Sequence, residues 1–331
     1  MSYQYPTRIQ ICEAVENCSN TFLSDNLNGF SPIIFKNRIL MYAGGFNCVF
    51  PLINVQGEKI ALRIWIKEIN NAKKRVVAIS RHLKKIDRDY LVSSDYIDDG
   101  ILINSTCHPT VLMNWVEGPT LKDYIDKNIQ DKKKMSKLII NFKWIFSDMH
   151  KHKIAHGDLQ HNNILVNKRD KIKLVDYDSM YVKDIEHLRD VIKGLPGYQH
   201  PFRYSNEFLT HQLDYFSEYV ILLSMLVFNE EPKLWNRYYN SDNLLFSSND
   251  FQNPHDSVLF KYLSSHKNKK IVYLTRFLKS LLKEIDICCI PPIESVLNND
   301  LRFNKEKLIE KFNKSKNSIK NEIYQNIINK F

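Results

Sequence analysis

The 331 residues are 44% hydrophobic and 12% aromatic, which is the apolar content of a globular protein with a sizeable core and excludes a disordered chain. The formal net charge of +10 comes from dispersed lysines such as Lys132-Lys133-Lys134 and the Lys267 to Lys270 stretch. Such lysines solvate a surface, so no specific nucleic-acid partner is expected. Six cysteines without CxxC or zinc spacing, no apolar leader behind Met1, and a longest apolar run (Tyr219 to Phe228) about half a membrane span point to a cytoplasmic protein without a transmembrane segment. The adjacent Cys288 and Cys289 read as buried thiols.

In chain order, residues 1–36 read as an N-terminal extension with a short helix around Thr7 to Asn17. A β-rich block follows over 37–115. Arg38 to Tyr42 is expected as a strand, Gly44-Gly45 as a turn and Cys48 to Asn54 as a second strand. A Gln56-Gly57 turn leads to Lys59 to Ile66, where Ile60, Leu62, Ile64 and Ile66 alternate with other residues. A helix is expected over Asn70 to Lys85, then strands over Asp95 to Ile103 and Thr110 to Trp115. The larger region 116–298 is helical in pattern, with Leu138, Phe142, Ile145 and Met149 marking the buried face of a helix from Lys134 to Lys151. The last stretch, 299–331, is basic, and Leu308, Phe312, Ile319, Ile323 and Ile327 fit one helical stripe suited to packing or to docking a partner.

The chemistry concentrates in His156-Gly157-Asp158-Leu159-Gln160-His161-Asn162-Asn163, which runs into the apolar Ile164-Leu165-Val166. Asp158 and Asn163 stand five residues apart, and Asp176 closes a second apolar strand thirteen residues beyond Asn163. Phosphoryl transfer needs a carboxylate to orient the attacking hydroxyl and oxygen ligands for magnesium; Asp158 suits the first role, Asn163 and Asp176 the second. His150, His152, His156 and His161 straddle a helix end and a loop, which is a poor frame for zinc.

This spacing resembles the catalytic loop and metal motif of the protein kinase superfamily, with His-Gly-Asp for HRD and Asp176-Tyr177-Asp178 for DFG. The resemblance runs from about Arg38 to Leu297 and is to a divergent, bacterial-type, eukaryotic-like protein kinase. It implies an α+β bilobal fold, with a small β-rich N-lobe and a larger helical C-lobe. Gly44-Gly45-Phe46-Asn47-Cys48-Val49-Phe50 resembles the glycine-rich phosphate loop, with Tyr42 and Asn47 at its first and third glycine positions. Ile60-Ala61-Leu62-Arg63 resembles VAIK, with Arg63 for the lysine that meets the phosphates. Leu112 to Leu121 resembles the connector between lobes. There Asn114 C=O and Val116 N–H would read adenine, Met113 would back the pocket, and Val49, Ala61 and Leu165 would sandwich the base.

Gly194-Leu195-Pro196-Gly197-Tyr198-Gln199-His200-Pro201 and Asp214 to Leu222 resemble the end of the activation segment and the helix behind it. Together they distinguish a protein kinase from the aminoglycoside-type small-molecule kinases, an alternative that shares only the HGD pattern. The cofactors implied are ATP and Mg2+, and the partner a protein substrate. The helix after Arg63 offers no acid to pair with it, leaving His82 or Asp176 as the partner expected. That departure and the thinned glycine loop keep a second alternative open, a pseudokinase that binds nucleotide or acts as a scaffold. Gly157 stands where an arginine would grip a phosphorylated activation loop, so no activation by phosphorylation there is expected. Phe202 and Ile290-Pro291-Pro292 replace both ends of a familiar buried ion pair, and Gln160 and Leu195 replace the lysine and threonine near the catalytic aspartate.

Overall fold

A computed structural model describes residues 4–239 and 242–297; the basic tail expected over 299–331 lies outside them. The architecture is α+β, and the chain divides after Gly118 into two compact units, with Lys173–Asp178 returning to the first.

The first unit is built on an antiparallel sheet. Its strands are β1 (Ser31–Pro32), β2 (Tyr42–Ala43), β3 (Asn47–Ile53), β4 (Lys59–Trp65), β5 (Ser94–Ile103) and β6 (Thr106–Asn114), in the order β1-β3-β4-β6-β5, with β2 also on β3. Alternation decides the faces. Cys48, Phe50, Leu52, Leu62 and Ile64 point one way and cluster with Ile101 and Ile103. What covers them is helix α1 (Arg8–Glu16), through Ile11, Ala14 and Val15, together with Leu27. Thr7 caps this helix reciprocally with Gln10, close to the start expected from sequence. Ile11 and Val15 are wholly buried, each contributing roughly 1.5–3 kcal/mol. The first residues thus close the core of the sheet, a role their sequence does not announce.

Two strand expectations change. Arg38 to Tyr42 is not one strand: Arg38–Ile39 folds back on Ile34–Phe35, and only Tyr42–Ala43 joins β3. Leu40 N–H donates to Ile33 O at 2.8 Å, which continues that hairpin and holds Leu40 off β3. Strand β6 starts at Thr106 because Asn104 and Ser105 both adopt left-handed backbone (φ 49° and 62°), a tight hairpin turn that pairs Thr106 with Ile103. Helix α2 (Ala72–Ile86) packs on β5, where the Ser80 hydroxyl donates to Ser94 O.

The second unit is helical, with α3 (Leu121–Asn128), α4 (Lys132–Lys151), α5 (Tyr215–Glu230) and α6 (Lys269–Leu281) as its main elements. Every residue of α5 from Tyr215 to Met225 is buried, and α4 and α6 both pack on it. Leu138, Phe142, Ile145 and Met149 form the buried stripe of α4, and Asp131 caps it through the N–H groups of Lys133 and Lys134. Cys288 and Cys289 are half-exposed and not buried, because Ile287 and Ile290 are the residues of that turn that face inward.

Candidate active site

On the sheet, the face opposite α1 carries Val49, Ala61, Arg63 and Met113, aligned by register: Val49 opposes Arg63, and Ala61 opposes Met113. Asn114 ends β6 beside Ile60, and half-buried Val116 follows. The glycine loop is a tight turn in which Gly44 N–H donates to Asn47 O at 2.9 Å. A Cβ on Gly44 would meet Asn47 Oδ1 at 3.2 Å, whereas Gly45 has open space around it. Arg8 of α1 donates to Gly44 O at 3.0 Å and so holds the turn from the N-terminal segment. Tyr42, at the first glycine position, tilts onto Trp115 with ring centroids 6.0 Å apart.

Arg63 is buried on that face, with its guanidinium 5.3 Å from the centroid of Trp65. Its carboxylate partner comes from neither the helix nor, in the main, from Asp176. Arg63 Nη1 lies 2.5 Å from Asp178 Oδ1 and 3.8 Å from Asp176 Oδ1. Asn47 Nδ2 donates to the other Asp178 oxygen at 2.8 Å. Burial pushes the Asp178 carboxyl up to about 6, aided by the Asp176 charge and opposed by Arg63 and Asn47. The segment is pinned to the sheet unit through Leu174 N–H to Tyr90 O (2.8 Å) and Val92 N–H to the Tyr177 hydroxyl (2.7 Å). Asp178 is the partner of Arg63 that sequence reasoning missed. Its signal was charge balance: a guanidinium in a buried strand position needs an acid, α2 offers none, and Asp178 stands in the matched motif.

In the helical unit, the catalytic-loop backbone is clamped from both sides. Asp214, at the start of α5, accepts the N–H groups of His156 and Gly157, the latter at 2.8 Å. Arg203 donates to Gly157 O at 2.8 Å. Gly157 has φ +80°, and a Cβ there would sit 2.0 Å from Ser179 O, so only glycine fits. The same Arg203 forms a two-point pair with Asp190, Nε–Oδ2 at 2.8 Å and Nη2–Oδ1 at 3.1 Å, and bonds Gln199 Oε1 at 2.7 Å. A buried ion pair therefore exists in this region after all, one residue beyond Phe202 and with an acid from the segment itself. The positions of the familiar pair are held by Phe202 and Ile290-Pro291-Pro292.

Asn163 Nδ2 donates to Asp158 O at 2.8 Å and to Asp158 Oδ2 at 3.2 Å, which turns its amide oxygen away from that carboxylate. Asp158 Oδ1 is buried with no hydrogen-bond partner. It lies beneath Gly194 (φ +74°), where a Cβ would approach it to 2.6 Å. Gln160 Oε1 and Gln199 Nε2 are likewise buried and unpartnered. Leu165 pairs with Thr120 in an isolated bridge, and Val166 N–H bonds Pro119 O at 2.9 Å.

In the helical unit Asn163 offers an amide oxygen; in the sheet unit Asp176, in left-handed backbone (φ 67°), has a carboxylate 46% exposed. Both are hard oxygen donors. Among the described residues no His, Cys, Asp and Glu cluster could hold a metal. The histidines go elsewhere: His150 sits between Glu218 and Glu294, each at 2.8 Å, and His161 meets the Tyr198 hydroxyl. Burial alone would lower the His150 pKa, but the two carboxylates outweigh it and lift the imidazole to about 10.

A strand-rich unit with a buried cation, followed by a helical unit with an HxD loop braced by a helix-start aspartate, defines the protein-kinase class. The family model described as the protein kinase domain matches residues 40–285, and the chain belongs to that family. Over 131 residues, 37% of this chain, it is 31% identical to a probable LRR receptor-like serine/threonine-protein kinase of Arabidopsis thaliana. It is 34% identical over 79 residues, 23% of the chain, to the LRR receptor-like serine/threonine-protein kinase IOS1 of the same plant. It is 23% identical over 116 residues, 35% of the chain, to the serine/threonine-protein kinase max-2 of Caenorhabditis elegans. The matches span 15%, 9% and 18% of those proteins. No helix among the described residues is long and apolar enough to cross a membrane.

Proposed function

We propose that the chain is an ATP- and Mg2+-dependent phosphotransferase acting on protein hydroxyls. The observation that carries this reading is Asp158: its loop is clamped by Asp214 and Arg203, one oxygen is held by Asn163, and the other lacks a partner. A carboxylate oxygen fixed in place without a donor is suited to orient a substrate hydroxyl and take its proton. Asn163 and Asp176 would hold magnesium, which when bound would supply positive charge to offset that of the phosphates. Gly44 and Gly45 would let backbone N–H groups approach the phosphates. Val49, Ala61 and Leu165 would enclose the adenine, whose edge Asn114 C=O and Val116 N–H would read. Arg63 would supply positive charge near the phosphates. Catalysis of this kind is mostly positioning and electrostatics, which is what the braced loop supplies.

A second reading is a pseudokinase that binds nucleotide without transferring phosphate. The burial of Arg63 against Asp178 favours it, since that cation already has a counter-charge. The test is transfer of labelled γ-phosphate from Mg-ATP to the protein itself and to generic protein acceptors. Incorporation that disappears in Asp158→Ala supports the enzyme. No incorporation by wild type, with retained heat stabilisation by Mg-ATP, supports the pseudokinase.

A further inference from the structure

We propose that Arg8 is a positioning residue for phosphate binding: from helix α1 it orients the Gly44-Gly45 peptide so that Gly45 N–H is presented to the nucleotide. The proposal deepens the phosphotransferase reading and rests on its assignment of Gly44 and Gly45 as the turn that receives the phosphates. A peptide between two glycines has no side chain to restrict its rotation, so its plane is set by whatever holds its polar groups. Nothing lies within 4 Å of the place a Cβ would take on Gly45. The preceding N–H, that of Gly44, is fixed on Asn47 O at 2.9 Å. The Gly44 carbonyl accepts from Arg8 Nη2 at 3.0 Å. Among the described residues no group accepts the Gly45 N–H.

The orientation follows from covalent geometry. The peptide is trans, so its C=O and N–H point in opposite directions. With Gly44 O turned to Arg8, Gly45 N–H points away from it. The side away from α1 is the one on which Val49, Ala61 and Arg63 stand. A flipped peptide would turn a carbonyl oxygen to that side, where a phosphate is repelled instead of bound. Arg8 is held firmly enough to decide between the two. It is the first residue of α1, directly after the Thr7–Gln10 capping box, and Ile11 and Val15 fasten the helix to the sheet. One turn along, Cys12 meets Met41 Sδ at 3.8 Å, ahead of the glycine turn. Burial raises the Cys48 thiol pKa and the Arg8 charge works against it, which puts the guanidinium beside the strand that leaves the turn.

The experiment reads two quantities in wild type, Arg8→Met and Val15→Ala. One is the 15N order parameter of the Gly45 amide in the free protein; the other is calorimetric affinity for Mg2+-β,γ-imido-ATP and for adenosine. Arg8 is exposed, so its replacement leaves the core intact. The order parameter should be about 0.85 in wild type and below about 0.6 in Arg8→Met. Loss of one hydrogen bond should weaken triphosphate affinity by about 2- to 10-fold, with adenosine affinity unchanged. Val15→Ala empties a buried position at the far end of α1, so it should lower the melting temperature and leave both readings at wild-type values. Unchanged triphosphate affinity in Arg8→Met overturns the proposal. So do equal losses for triphosphate and adenosine, or a Val15→Ala that matches Arg8→Met, since either makes Arg8 merely structural. Weaker triphosphate binding with Gly45 still ordered also overturns it, by making Arg8 a distant charge. Wild type with an ordered Gly45 and no affinity for the triphosphate would sink the phosphotransferase reading itself, an outcome distinct from all of these.

Discussion

Replacing Arg203 by leucine tests the bracing of the catalytic loop. The side chains of Arg203 and Asp190 are each 1% exposed, and the guanidinium also serves Gln199 Oε1 and Gly157 O. Breaking a buried pair from one side costs about 3–5 kcal/mol, because the other charge is stranded. Lys193 Nζ lies 3.2 Å from Asp190 Oδ2 and is 20% exposed, so it offsets part of the loss and favours the lower end, about 3 kcal/mol. At roughly 2–4 °C per kcal/mol for a unit of this size, the melting temperature should fall by about 6–12 °C. Arg203→Leu combined with Asp190→Leu should recover at least about 1 kcal/mol of that, since the stranded charge is gone. Phosphate transfer should remain depressed in both, because Gly157 O has lost its donor. Differential scanning calorimetry and the transfer assay read the two effects. A melting shift below about 2 °C in the single variant, or a double variant no more stable than the single, would refute the bracing argument.

Gly194→Ala places a Cβ in left-handed backbone 2.6 Å from Asp158 Oδ1; a destabilisation of about 1–3 kcal/mol and a loss of transfer larger than any loss of nucleotide binding are expected. For His150, the folded pKa of about 10 lies above the ordinary 6.5, so its stabilisation is complete below 6.5 and is lost as pH rises through about 10. His150→Gln should therefore melt lower than wild type near neutral pH by roughly 1–3 kcal/mol, with the gap closing above about pH 10, read by melting across pH. Ile11→Ala empties a fully buried position in α1 and should cost about 2–5 kcal/mol in denaturant unfolding, although the residue lies well outside the motifs.

The alternation of Ile60, Leu62 and Ile64 made β4 legible through the face it turns toward α1, although the strand is buried on both faces from Ala61 to Trp65. The stripe of Leu138, Phe142, Ile145 and Met149 did the same for α4. The catalytic loop was legible through spacing, and the helix that Asp214 begins through the resemblance. What stayed hidden depends on contacts distant in sequence. Arg8 meets Gly44 across 36 residues and Asn47 meets Asp178 across 131, and no local pattern marks either. The Arg203–Asp190 pair was hidden differently: Phe202 holds the familiar position of the acid, and the pair's arginine stands one residue further along.

The return of Lys173–Asp178 to the sheet unit makes that unit a poor candidate for modular exchange. A fragment ending at Gly118 would keep Arg63 but contain neither acid that lies beside it, and the donor of Asn47 would lose its acceptor. Grafting the strand segment onto another kinase scaffold without residues 173–178 would import an orphan cation into a core. Arg63 and Asp178 are thus heritable as a couple and not singly: a single-step drift of either one passes through a molecule with an unmatched buried charge.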